Sequence, residues 1–187
     1  MTAAAAVTIR RAILADATAL SALGATTFNE TFESENTSED MAAYLSEAFT
    51  PARQRAEIAD PASIMLVAEQ FTGSGGGALV GYAHVVEGPV PDAVNGPAPM
   101  ELKRIYVARA WHGQGVAQGL MDAAIDAARA RGARTLWLGV WERNPRAIAF
   151  YGKYGFTRVG AHTFVLGTDA QTDWLLARPL AASETAD

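Results

Sequence analysis

The sequence predicts a single α/β domain built on a mixed β-sheet, and three observations lead there. The chain has 187 residues, enough for one real core and too few for two comfortable ones. Runs with the two-residue period of strands alternate with runs at helical spacing, in the order β-α-α-(α)-β-β-β-α-β-α-β-β, with no internal repeat. Two glycines, Gly113 and Gly115, stand between a strong strand and a strong helix, where an α/β fold can bring bare backbone against a ligand. One domain is therefore expected over residues 1–187, with its core at about 7–180 and a flexible tail at 181–187.

Each element has a local cause. Val7 to Arg11 is a short strand. Asp16 is positioned to cap a helix whose Leu20, Leu23, Thr27 and Phe28 recur at helical spacing. Thr37-Ser38-Glu39-Asp40 is a capping-box pattern opening a second helix, and Thr50-Pro51 starts a third with proline at its first position. The period then changes. Ser63 to Ala68 and Ala78 to Val86 read as a hairpin joined by the flexible turn Gly73 to Gly77. Glu87 to Pro99 holds four prolines and two glycines and reads as a surface loop. Met100 to Val107 is a third strong strand, Gly115 to Arg131 a helix stopped by Gly132, and Thr135 to Val140 a strand. Asn144-Pro145 opens a last helix that Gly155 stops, and Phe156 to Leu166 and Thr172 to Ala177 close the sheet.

Composition narrows the function classes. The formal net charge is −5, which argues against nucleic acid and either leaves room for a cationic substrate or merely aids solubility. There is no cysteine, so disulfides, thiolate zinc sites and a thiol nucleophile are excluded, and no metal site is expected. The first arginines follow a short apolar run, the wrong order for a secretory signal. No stretch reaches the roughly 18 apolar residues of a membrane span, so a cytoplasmic protein without membrane partners is expected.

The glycine turn H-G-Q-G-V-A, residues 112–117, carries the chemistry. A helix starting near Gly113 or Gln114 would expose N–H groups that have no intrahelical partner, at the positive end of its dipole. The glycines and the small Ala117 let an anion approach them. A dinucleotide fold would place such a turn after its first strand, and a P-loop would add Gly-Lys-Ser/Thr; this chain does neither. Thirty residues on, Asn144, Ile148 and Tyr151 share one helical face, about 10 Å long, with a polar side chain at each end.

The stretches L-K-R-I-Y-V-A-R-A-W-H-G-Q-G-V-A-Q-G-L-M and N-P-R-A-I-A-F-Y-G-K-Y-G-F together resemble the GCN5-related N-acetyltransferase (GNAT) superfamily. The resemblance implies a three-layer α-β-α acyl-CoA N-acyltransferase fold that moves an acetyl group directly from acetyl-CoA to an amine. In its diphosphate motif, Gln/Arg-x-x-Gly-x-Gly/Ala, His112 stands where Gln or Arg is usual, while Gly115 and Ala117 fit. It implies that His112, Gly113, Gln114, Gly115, Val116 and Ala117 cradle the diphosphate. Backbone at Ile105, Tyr106 and Val107 would pair with the pantetheine arm, Asn144 would fix the arm or a water, and Tyr151 would protonate the departing thiolate. The segments N-E-T-F-E-S-E-N-T, E-L-K-R-I-Y-V and H-T-F-V-L-G-T-D-A-Q-T-D-W-L-L-A-R-P-L are similar to the PaiA-type branch, associated with polyamine acetylation.

The base is less sharply marked. Glu101 starts the same strand and, by alternation, faces the side of Lys103, Ile105 and Val107. It is placed to take the amine's proton directly or through water, or else to sit on the surface paired with Lys103 or Arg104. His84, in an apolar strand, is another candidate base or else packing, and His162 carries no signature. Glu30, Glu33, Glu35, Glu39 and Asp40 form an acidic group that is either a solvated face or, with Glu33 at its centre, the attractor of a cationic acceptor. Three alternatives remain beside a small polyamine-like acceptor: a protein N-terminus or antibiotic amine as acceptor, a non-catalytic acyl-CoA sensor, and a nucleotide-binding regulatory domain. Trp174-Leu175-Leu176 serves either the core or a homodimer face.

Overall fold

The computed structural model describes residues 6–71, 77–166 and 169–181. The turn at residues 72–76 and the tail beyond 181 lie outside the described residues. Seven strands form one sheet in the order β1-β2-β3-β4-β5-β7-β6: β1 Val7–Arg11, β2 Ser63–Phe71, β3 Gly77–Val86, β4 Pro99–Val107, β5 Thr135–Trp141, β6 Thr157–Leu166 and β7 Asp169–Pro179. All neighbours are antiparallel except β4 and β5. The sheet is therefore mixed, as expected. Helices α1 Ala17–Phe32, α2 Ser38–Ala48 and α3 Pro51–Ala59 cover one face, and α4 Val116–Ala130 and α5 Pro145–Lys153 the other.

The α4 face holds the larger core. Leu120, Met121 and Ala124 of α4 are fully buried against Ile64, Ala83, Leu102 and Leu136 of four strands. Truncating a leucine so enclosed costs about 2–5 kcal/mol. On the opposite face Leu20 packs with Val67 and Tyr82, and Phe28, Met41 and Phe49 form a third cluster where α1, α2 and the start of α3 meet. Leu175 and Leu176 are buried in the core, and the Arg158 guanidinium lies 4.3 Å above the Trp174 ring. Leu175 and Leu176 thus serve the core, and Trp174 is half-buried beneath Arg158.

Three expectations need correction. Asp16 does not cap α1 through its side chain. Its carboxylate instead receives Arg10 Nη1 at 2.8 Å and the Ile13 N–H at 2.8 Å, closing a 3₁₀ turn at Leu14–Asp16. Helix α4 begins at Val116, with Gly115 as its N-cap, and not near Gly113 or Gln114. Two left-handed residues, Gly113 (φ 77°) and Gly115 (φ 83°), turn the chain first, and no helix propagates through them.

The third correction moves Glu101. Against β3, His84 pairs with Arg104 but Val85 pairs with Leu102, so Lys103 is an extra residue, a β-bulge. Alternation therefore shifts by one. Met100 and Leu102 before the bulge, and Ile105 and Val107 after it, all pack on the α4 face. Glu101 faces the other way, with Tyr106, toward α1.

Candidate active site

Strands β4 and β5 are hydrogen-bonded neighbours only where Pro99, Met100 and Glu101 face Thr135, Leu136 and Trp137. Beyond that point both strands continue but part. A cavity of about 610 Å³ opens there, lined from above by Thr27 and Phe32 of α1 with Trp141 against the Phe32 ring, and below by Ile105, Val140 and Tyr151. A smaller space of about 230 Å³ lies toward the start of α4, between Trp111, Gly113, Ala117 and Phe150. Ile105, Val107, His112, Arg146, Ala147 and Tyr151 line both. The two are thus consecutive parts of one channel running past the unpaired edge of β4.

The glycine turn forms the outer end of that channel. A Cβ on Gly113 or on Gly115 would meet nothing within 4 Å, so the turn needs glycine for its backbone angles and leaves the space above it open. The first intrahelical bond at this end runs from Gly119 N–H to Gly115 O at 3.0 Å, and the N–H groups of Val116, Ala117 and Gln118 precede it without intrahelical acceptors. Gln114 turns its amide away, donating to Ala110 O at 2.7 Å. Val116 points its side chain into the core, so it offers only backbone.

His112 does not offer the ligand a free ring nitrogen. An arginine can only donate, so the 2.9 Å contact from Arg146 Nη1 makes His112 Nδ1 an acceptor. Nε2 then carries the hydrogen and donates to the Val107 carbonyl at 2.9 Å. The imidazole is a bracket that holds the Arg146 guanidinium over both parts of the channel. Arg146 was missed in the sequence; its only signal was its place in the first turn of α5, two residues after Asn144.

At the junction stands Tyr151. Burial pushes its phenol well above the ordinary value, so it holds its proton throughout the neutral range. Its ring packs against Phe150 and Phe156 at centroid distances of 5.6 and 5.8 Å. Asn144 caps α5, its Oδ1 accepting from Ala147 N–H at 3.1 Å, and lines the larger cavity.

The larger cavity carries carboxylates and aromatic rings, with Lys103, Arg104 and Arg143 in the same lining. Glu101 lines it, with its carboxyl pushed above the usual range by burial, against the opposing pull of Lys103, His162 and Arg104. Asp173 lines it too, likewise raised by burial. Glu30 and Glu35 stand on the same wall, and Glu35 reaches Arg143 of the β5–α5 turn at 3.8 Å. Glu33 does not line the cavity: it is exposed and accepts a hydrogen bond from Asn29 one turn earlier. Asp173, Gly139 and Trp141 had no sequence signal that set them apart, because β7 and β5 meet only through long-range pairing. His84 is 1% exposed, bonded to Ser63 Oγ at 2.6 Å and absent from the cavity wall. Among the described residues no group of His, Cys, Asp or Glu is arranged to hold a metal, and no helix is long and apolar enough to cross a membrane.

Comparison with known proteins gives the same picture. Residues 27–156 match the model of the acetyltransferase (GNAT) family. An uncharacterized N-acetyltransferase encoded in the pepI 3′ region of Lactobacillus delbrueckii subsp. lactis is 36% identical over 162 residues, 85% of this chain and 89% of that one. Among solved structures, the PaiA N-acetyltransferase of Thermoplasma acidophilum, in complex with coenzyme A, superposes with a TM-score of 0.72 at 17% identity, over 93% of this chain and 99% of that one. At that identity the likeness is one of fold. Nourseothricin acetyltransferase is 31% identical with a TM-score of 0.53, over 65% of this chain and 68% of that one.

Proposed function

Because the chain belongs to the acetyltransferase (GNAT) family, and so is an acetyl-CoA-dependent acetyltransferase, we propose that its acceptor is a small primary amine carrying further positive charge, a polyamine first. One observation carries this reading: the channel past the β4 edge ends in a cavity whose wall combines Glu101, Asp173, Glu30 and Glu35 with the rings of Phe32, Tyr44, Trp141 and Phe164. Carboxylates and aromatic faces are the two surfaces that attract ammonium groups.

The chain's own groups divide the work. N–H groups at the start of α4, with Arg146 beside them, suit the diphosphate of the cofactor. The unpaired edge of β4 at Ile105, Tyr106 and Val107 suits its amide-bearing arm, and a β4 N–H there suits the oxyanion that forms during transfer. Glu101 receives the acceptor's ammonium and holds it while the amine's proton is removed. Tyr151 donates a proton to the departing sulfur. Asn144, with Oδ1 engaged in its cap, has its amide NH₂ left for the arm or a water.

A thiol-release assay with acetyl-CoA against spermine, spermidine, putrescine, a monoamine and a peptide N-terminus tests the reading. Turnover should rise with the number of charges on the acceptor; equal turnover of monoamine and spermine would overturn the polyamine assignment. A second reading, an amine-bearing antibiotic as acceptor, is favoured by the likeness to nourseothricin acetyltransferase. Adding that compound to the panel separates the two.

A further inference from the structure

Three strands bring a histidine and two carboxylates to one patch of the acceptor wall, and the histidine has no role in the scheme above. His162 on β6 is the register partner of Asp173 on β7, and Asp173 is the partner of Trp141 on β5. The three form one row across the sheet. His162 Nε2 lies 3.9 Å from Asp173 Oδ2, an electrostatic pair rather than a hydrogen bond. Both atoms lean over Gly139: a Cβ there would come within 3.3 Å of Nε2 and 3.4 Å of Oδ2. Gly139 is the one exposed residue in a strand otherwise buried or half-buried, and its bare backbone forms the cavity floor. Glu101 is in register with Trp137, two residues before Gly139, and the charge on His162 is felt at its carboxyl.

We propose that His162 is the general base of the transfer, with Asp173 as the positioning residue that stabilises its charged form. The inference rests on the acetyltransferase reading. The acceptor enters as an ammonium held by Glu101. One N–H bond breaks and its proton passes to His162 Nε2, freeing the nitrogen lone pair. That pair forms a C–N bond to the thioester carbon while the C=O π pair moves onto oxygen. As the C=O re-forms the C–S bond breaks, the thiolate takes the Tyr151 proton, and the nitrogen's second proton passes to the Tyr151 phenolate, leaving a neutral amide. The groups facing the imidazolium are Asp173 from β7 and Glu101 from β4, with Lys103 at the bulge beyond. Imidazole is the side chain whose ordinary titration lies nearest neutrality. His162 is 42% exposed, so the proton has a path to water after each turnover.

The test uses His162→Gln and Asp173→Asn in the full chain, with kcat/KM for the amine followed across pH and coenzyme A affinity measured by calorimetry. His162→Gln should lose about 100-fold at neutral pH with unchanged coenzyme A affinity, and recover in part with added imidazole. Asp173→Asn should move the acid limb of the profile to lower pH, since the imidazolium loses its stabilising charge. A purely structural Asp173 would leave that limb in place. His162→Gln within twofold of the parent, or an Asp173→Asn profile with an unmoved limb, overturns the proposal while the acetyltransferase reading stands. Absence of thiol release from the parent with every amine overturns the reading itself. Should His162→Gln fail to fold, His162→Asn with imidazole rescue gives the same decision.

Discussion

Arg146 and His112 are joined by a 2.9 Å hydrogen bond in which the arginine donates to Nδ1. The histidine therefore acts on the cofactor through its neighbour. Arg146→Gln should weaken coenzyme A binding about tenfold, the worth of one good charge-assisted contact, while kcat at saturating cofactor stays near the parent's. His112→Phe should shift affinity in the same direction by releasing the guanidinium. Calorimetry with coenzyme A measures both; an unchanged dissociation constant in Arg146→Gln would remove that residue from the phosphate site.

Tyr151 is half-buried and desolvation pushes its phenol upward, so it stays protonated wherever the protein is folded at ordinary pH. Tyr151→Phe should lower kcat about 100-fold and leave coenzyme A affinity within twofold. The ring and its contacts with Phe150 and Phe156 remain, so stability should hardly move. A variant that keeps full turnover would show that the thiolate leaves without this proton.

Glu30 and Glu35 are exposed at the cavity wall, where they act on an incoming cation over a distance that salt shortens. Glu30→Gln with Glu35→Gln should raise KM for spermine several-fold at low salt, with kcat unchanged, and the difference should fade as salt is added. Glu33→Gln, on the outer side of α1, should leave KM alone. Steady-state kinetics at two ionic strengths checks this pair of outcomes.

His84 and Glu57 make the fold acid-sensitive. Burial pushes His84 down to about 4, so the unfolded chain binds a proton that the folded chain refuses, between the ordinary value near 6.5 and that lower value. Its contribution is complete above the ordinary value and drains away as pH falls through this window, about 3 kcal/mol in all. Burial alone would raise Glu57, but Arg104 at 2.7 Å overcomes it and holds the carboxyl below its usual range. That share is lost at still lower pH. Thermal melts should therefore show Tm falling by roughly 4–8 °C between about pH 7 and pH 5. His84→Gln should flatten this slope, and an equally steep slope in the variant would exclude His84 as its cause.

Legibility in the sequence followed the range of the forces involved. Thr37, Thr50-Pro51 and Asn144-Pro145 mark helix starts through bonds to neighbours three residues away, and each does so in the structure. The channel's outer end was readable for the same reason, since Gly113 and Gly115 act on their own backbone. Asp16 misled because an arginine in β1 outbids the local cap for its carboxylate. Glu101 was assigned to the wrong face because the Lys103 bulge exists only in the ladder with β3. His162 and Asp173 are eleven residues apart in sequence but face each other across a strand pair, a relation no local pattern encodes.

The parting of β4 from β5 has a thermodynamic consequence. A strand whose outer hydrogen-bonding groups lie inside the protein, yet face no polypeptide, is a sheet one member short. Any guest with amides along an extended arm finishes the ladder and replaces water that the gap must otherwise hold. Cofactor occupancy should consequently act as a missing structural segment: melting should occur later with coenzyme A than with adenosine 3′,5′-bisphosphate, which carries phosphates but no amide arm. The order of addition would follow, the nucleotide thioester docking first and the amine meeting a wall that its predecessor has just completed.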